Sequence, residues 1–165
     1  YNAMPPLTHR SPGVIGAAFD MKADVELICD GVHIEPSVVR ASFQLFTEEK
    51  VILISDSMMA TGMSEGEYEL GGQPVTVTKN RATLVDGTIA GSVTNLYDCM
   101  VNTIKMGVKP ESAIRAATYN PAKSIGILNQ CGSIESGKDA DLLIVNKDWE
   151  IVNIIKSGKI INFKY

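Results

Sequence analysis

Between residues 25 and 54 the apolar positions follow a strand–helix–strand rhythm. Val25-Glu26-Leu27-Ile28-Cys29 is a short, mostly apolar run that breaks at Asp30-Gly31-Val32-His33. From Pro36 onward, Val39, Phe43 and Phe46 recur at the spacing of one helical face. Val51-Ile52-Leu53-Ile54 is continuous and rich in β-branched residues, the pattern of a strand covered on both faces, and it stops at Ser55-Asp56-Ser57. Two such runs joined by a helix predict adjacent parallel strands with a right-handed crossover, and hence an α/β fold with His33 and Asp56 opening on one face.

After residue 60 the segments shorten. Gly71-Gly72, Lys79-Asn80-Arg81 and Asp86-Gly87 separate Tyr68–Leu70, Pro74–Thr78, Ala82–Val85 and Thr88–Ala90, which predicts a β-hairpin insertion over about 67–90. Ser92 stands where an N-cap is expected, ahead of a helix whose stripe holds Val93, Leu96, Tyr97, Met100, Val101 and Ile104. A second helix is expected from Pro110 to a stop at Asn120-Pro121, where Asn120 can cap the short turn that Pro121 opens and Gly126 can close it. From Gly132 the chain becomes all-β, with strands over Asp139–Val145, Ile151–Lys156 and Lys159–Phe163 and a tight turn at Ser157-Gly158. The domain division expected is 1–125 and 126–165.

Composition narrows the class. The 165 residues are 45% apolar and 21% charged, with a formal net charge of −4. These are values of an ordinary soluble globular chain, without the basic run that a phosphate backbone requires, so a nucleic-acid partner is not expected. No apolar run approaches the roughly 18 residues of a membrane span, and the N-terminus lacks a secretory pattern. Cys29, Cys99 and Cys131 have no ligand spacing and read as free thiols in a reducing compartment, the cytoplasm. The opening, Tyr1-Asn2-Ala3-Met4-Pro5-Pro6, reads as the middle of a longer chain.

Four clusters can carry chemistry. Asp56 follows a buried strand at its C-terminal end, where loops converge in α/β sheets, and is either a catalytic carboxylate or a turn cap. His33 ends the preceding strand in the same way, as a ligand contact or as a structural histidine bonded to a carbonyl. Arg10, in a Pro-flanked loop near Asn2 and Ala3, suits a phosphate through its planar fork, or a solvated surface. Ile89-Ala90-Gly91 leads toward a helix N-terminus, where free N–H groups can meet a ligand. No HxH or HExxH spacing is present.

Tyr1-Asn2-Ala3-Met4, Asp30-Gly31-Val32-His33, Ser55-Asp56, Ile89-Ala90-Gly91-Ser92 and Asn120-Pro121-Ala122, in this order, resemble the N-acetylglucosamine-6-phosphate deacetylases. Gly132-Ser133-Ile134 through Gly137-Lys138-Asp139-Ala140-Asp141-Leu142 is similar to the close of many amidohydrolase-superfamily enzymes. The resemblance covers essentially the whole chain. It implies the C-terminal part of a (β/α)8 TIM-type barrel followed by strands of a small β-sandwich. The metal-ligating His and Glu residues of the family would then lie before Tyr1, in a missing N-terminal half of the same enzyme.

What the resemblance implies is metal-dependent hydrolysis of the N-acetyl amide of N-acetylglucosamine 6-phosphate to glucosamine 6-phosphate and acetate, in amino-sugar catabolism. The cofactor implied is a divalent metal, zinc first, with no ligand in this chain. Asp56 becomes the base that takes a proton from the attacking water and then the acid that returns it to the leaving nitrogen. Asn2, Ala3, Arg10, His33, Ile89, Ala90 and Gly91 become substrate contacts, with Arg10 on the 6-phosphate. A cytoplasmic homodimer is expected, with no membrane or nucleic-acid partner. The alternatives are another amidohydrolase of the dihydroorotase or allantoinase kind, or a non-catalytic barrel fragment that needs a partner chain.

Overall fold

The computed structural model describes residues 1–161, so the expectation that the last strand reaches Phe163 ends outside the described residues. The backbone divides into two compact units, Tyr1–Ala117 and Thr118 onward. α/β content in the first unit and an all-β close in the second follow the pattern of the sequence.

In the first unit, β1 (Val25–Ile28) and β2 (Val51–Ile54) pair in parallel, with Val25 opposite Val51 and Ile28 opposite Ile54. Helix α2 (Pro36–Phe46) makes the crossover between them, opening on Pro36 as expected. Val51, Ile52 and Leu53 are all buried, because α2, α3 (Leu96–Lys105) and α4 (Pro110–Ala117) all pack against β2. Burying each such side chain contributes about 1.5–3 kcal/mol, so the end of β2 is a well-anchored platform for the loop that follows. An additional helix, α1 (Gly13–Asp20), for which the sequence pattern gives no expectation, sets Phe19 edge-on to Phe46 of α2 at a centroid distance of 6.4 Å.

The insertion forms an antiparallel sheet of β3 (Gly66–Leu70), β4 (Gln73–Thr78) and β5 (Arg81–Thr83). The expected fourth strand at Thr88–Ala90 reduces to one bridge between Thr83 and Ile89, made by Leu84 N–H to Thr88 O and Ala90 N–H to Ala82 O, because in the turn Asp86 Oδ1 accepts Thr88 N–H and Gly87 N–H donates to Leu84 O. The sheet has its own core: Val75, Val77 and Ala82 pack with Met58, Ala60 and Ala90. Met58 and Ala90 each lie two residues from a site position, Asp56 and Ser92, so the sheet buttresses the loops that carry them.

Two caps differ from expectation. Helix α3 starts at Leu96 with Asn95 as its cap, whose side chain accepts the N–H of Asp98, and Ser92 is engaged elsewhere. In the second unit α5 (Tyr119–Ser124) has Thr118 at its N-cap position with no side-chain capping bond, and Pro121 sits within its first turn, where no N–H is needed. The tail is an antiparallel sheet of β6 (Leu142–Val145), β7 (Ile151–Lys156) and β8 (Lys159–Ile161), with the turn at Ser157-Gly158 in left-handed conformation as its sequence predicts. No helix among the described residues is long and apolar enough to cross a membrane.

Candidate active site

The loop after β1 is built around one carboxylate. Asp30 Oδ1 accepts the N–H groups of Val32 and His33, both at 2.9 Å, an Asx turn that needs Gly31 at φ +82°. Its Oδ2 accepts His33 Nδ1–H at 2.8 Å and the Ser92 hydroxyl at 2.9 Å. The Asp30 side chain is 1% exposed. Burial alone would raise its pKa, but the donors from His33, Val32 and Ser92 outweigh burial and hold the group below the usual carboxylate range.

These bonds aim His33. With Nδ1 turned to Asp30, Nε2 faces Asp56 Oδ2 at 3.7 Å. The His33 side chain is 6% exposed while that of Asp56 is 49% exposed. Asp56 therefore stands at the rim of the strand ends with its carboxylate open to solvent, and His33 lies beneath it. Asp56 is also strained: its φ is +53°, a region that Asp enters more easily than most side chains but still at a cost. Two backbone bonds hold the segment there, from Ser92 N–H to Asp56 O at 2.7 Å and from Met58 N–H to Ser92 O at 2.9 Å. Strain held by neighbours at an exposed carboxylate is a common property of functional sites.

Of the residues singled out from sequence, the structure brings Asp56, His33, Gly91 and Asn2 together. Asn2 Nδ2–H donates to His33 O at 3.4 Å, and Tyr1 beside it donates its hydroxyl to Ser42 of α2 at 2.7 Å. Ile89 and Ala90 lead into Gly91, with Ala90 buried against the insertion sheet. Ala3 and Arg10 are exposed. The Arg10 loop is closed by paired backbone bonds between Thr8 and Ser11 at 3.2 Å, and among the described residues no hydrogen bond or ion pair engages the guanidinium.

Two residues that the sequence reading passes over prove central, Asp30 and Ser92. For Asp30 the signal is present in the spacing, since an Asp two and three residues ahead of free N–H groups, with Gly between, is an Asx turn. For Ser92 no local signal exists, because its partner is 62 residues away.

Gly91 fits this site tightly. Its φ is +70°, and a Cβ there would meet Asp56 O and Met58 Cβ at 3.3 Å. Gly91→Ala should therefore lower stability by about 1–2 kcal/mol through the left-handed backbone alone, and displace the Asp56 carbonyl as well. Urea unfolding measures the first effect. Unchanged stability would show that the loop rearranges freely.

Among the described residues no three His, Cys, Asp or Glu side chains are grouped to hold a metal ion. Cys29 and Cys99 are buried free thiols, with burial as the main cause pushing their pKa values up to about 11 and about 12, which makes both inert.

The chain is 43% identical over 162 residues to the N-acetylglucosamine-6-phosphate deacetylase of Bacillus subtilis (strain 168), an alignment that covers 97% of this chain and 41% of that protein. It is 33% identical to a putative N-acetylgalactosamine-6-phosphate deacetylase of Escherichia coli (strain K12), covering 99% of this chain and 98% of that one. Among solved structures, a mutant N-acetyl-D-glucosamine-6-phosphate deacetylase from Mycobacterium smegmatis, in complex with N-acetyl-D-glucosamine-6-phosphate, superposes with a TM-score of 0.90 at 32% identity, over 97% of this chain and 43% of that chain. The chain thus spans less than half the length of the Bacillus and Mycobacterium proteins. The family profile itself matches residues 30–161, from the Asp30 turn through the C-terminal sheet. With the strand-end carboxylate, its histidine and the closing β-strands all inside that match, this chain belongs to the amidohydrolase family.

Proposed function

We propose that this chain carries the proton-transfer and substrate-binding portion of an N-acetylglucosamine-6-phosphate deacetylase. The observation that carries the reading is Asp56: a half-exposed carboxylate at the C-terminal end of a parallel strand, held in a left-handed conformation with His33 beneath it. In the reaction, water adds to the acetyl carbonyl while Asp56 takes its proton. The C–N bond then breaks as Asp56 returns that proton to the departing nitrogen, leaving acetate and the free amine. A positioned base of this kind contributes about 10²–10⁴-fold. His33 lies beside Asp56 and Asn2 against the His33 carbonyl, where the sugar would rest, with Gly91 and the Ile89-Ala90 segment forming the neighbouring wall.

A divalent metal, zinc first, belongs to the same proposal, but the described residues do not fit one by themselves. The reading therefore assigns its ligands to the part of the relatives' length that this chain does not span. The same reading makes residues 1–125 part of a (β/α)8 barrel and residues 126–165 part of a small β-sandwich, in a cytoplasmic homodimer.

The test is a substrate panel on the assembled enzyme, meaning these 165 residues combined with that remaining part. Acetate release should follow from N-acetylglucosamine 6-phosphate, and dihydroorotate and allantoin should be inert. The Escherichia coli relative makes N-acetylgalactosamine 6-phosphate the second substrate to try, since that protein is matched over 98% of its length. Turnover of the cyclic ureides alone would replace the proposal.

Arg10 supplies the phosphate specificity in this reading. Arg10→Ala should weaken the 6-phosphate substrate by about 1.5–3 kcal/mol, the range for a hydrogen bond to a charged group, and leave unphosphorylated N-acetylglucosamine nearly unaffected. Arg10→Lys should recover only part, because an ammonium lacks the paired donors. Comparing kcat/KM for both substrates decides the matter, and equal losses would move Arg10 to a structural role.

A further inference from the structure

Asp30 accepts four hydrogen bonds, two at each oxygen, and an ionised carboxylate has about four lone-pair positions to offer. A carboxylate so used is no free base. It can act only through the groups it holds, and one of those is the imidazole beside Asp56.

We propose that Asp30 and Ser92 form a positioning pair: the Asp30 carboxylate locks His33 in its Nδ1–H tautomer, so that Nε2 faces Asp56 as an acceptor, and Ser92 ties that carboxylate to the Asp56 loop. The tautomer follows from donor and acceptor accounting. Oδ2 only accepts, so the proton between it and Nδ1 belongs to the ring, and a neutral imidazole held this way bears its lone pair on Nε2. Nε2 and Asp56 Oδ2 are 3.7 Å apart, too far for a bond of their own and well placed to share a donor from a bound hydroxyl or water.

Ser92 completes the device by using every hydrogen-bonding group it has. Its hydroxyl donates to Asp30 Oδ2 at 2.9 Å and accepts Thr94 N–H at 3.1 Å. Its N–H donates to Asp56 O at 2.7 Å, and its carbonyl accepts Met58 N–H at 2.9 Å and the Thr61 hydroxyl at 3.1 Å. One buried serine thus fixes the separation of the two carboxylate loops. Asn102 steadies the same turn from α3, donating to Asp30 O at 3.3 Å.

The inference rests on the deacetylase reading for its catalytic consequence, but its first readout does not. In protein labelled with ¹⁵N-histidine, His33 is identified by the signal lost in His33→Asn. Wild-type His33 should show a protonated Nδ1 and an unprotonated Nε2. Asp30→Asn keeps the shape and lets the amide oxygen accept the two backbone N–H groups, but it turns the amide –NH2 toward Nδ1. The ring must then accept there, and the protonated nitrogen becomes Nε2. In the assembled enzyme that variant should lose kcat/KM by about 10²-fold, the low end for a misplaced acid–base group. Ser92→Ala should keep the wild-type tautomer and lose a smaller factor, which Ser92→Thr restores in part.

A wild-type Nε2–H tautomer overturns the proposal, and that measurement needs no variant to fold. An Asp30→Asn protein that keeps Nδ1–H, or that reverses the tautomer at unchanged kcat/KM, overturns it too. An assembled enzyme that releases no acetate, with the expected tautomers intact, removes the deacetylase reading and leaves the tautomer lock standing.

Discussion

Asp56→Asn in the assembled enzyme should fold normally and lose about 10²–10⁴-fold in kcat, the contribution of a positioned general acid–base group. The fold survives for local reasons. Asn is the other non-glycine residue that enters the left-handed region readily, so φ +53° remains accessible. The backbone carbonyl still accepts Ser92 N–H, and the half-exposed side chain leaves no buried donor or acceptor unpaired. What is lost is the proton. An amide can hydrogen-bond the attacking water but cannot remove its hydrogen or deliver one to nitrogen. KM should change little, because the loss falls on the transition state rather than on ground-state binding. Circular dichroism and urea unfolding beside steady-state acetate release make the measurement, and near-normal turnover would remove Asp56 from the mechanism.

The parts of this site that rest on periodicity were open to sequence reasoning. Two apolar runs around an amphipathic helix suffice for parallel β1 and β2, and their C-terminal ends point directly to His33 and Asp56. Side-chain partnerships across long separations were not open to it. Ser92 looks like a helix cap because serine before a helix commonly is one, yet its hydroxyl is drawn to Asp30 and the cap falls to Asn95. The pattern Asn95-Leu96-Tyr97-Asp98 carried that signal, since Asn is a favoured N-cap: the Asn95 side chain accepts Asp98 N–H, and its amide donates to the Asp98 carboxylate. Helix α1 was hidden for another reason: Gly13, Gly16, Ala17 and Ala18 give it a weak apolar stripe, and Pro12 ahead of it makes no side-chain cap. The Thr88–Ala90 segment shows the limit of β propensity, which recognises a strand-like triplet but not the turn at Asp86-Gly87 that consumes its pairing groups.

The 165-residue chain alone should bind zinc weakly and release no measurable acetate. Its histidines are His9 and His33, and His33 has already committed Nδ1 to Asp30. Asp30 is fully occupied by its donors, so detaching it for a metal would leave buried N–H and O–H groups without partners, at about 1–3 kcal/mol each. Among the described residues, what remains near the rim is His33 Nε2 and the Asp56 carboxylate, two donors where a catalytic zinc takes about three from protein. General-base assistance by itself, about 10²–10⁴-fold, falls short of the roughly 10⁶-fold or more by which enzymes accelerate reactions. Mixing the chain with a second polypeptide, the part of the Bacillus subtilis relative that it does not match, should restore both metal stoichiometry and turnover to the extent that the two pieces dock. Zinc content and acetate release are measured for each piece and for the mixture. Stoichiometric tight zinc with steady acetate release from the lone chain would overturn the assignment of the ligands to residues outside it, and would make Asp56 a metal ligand before it is a base.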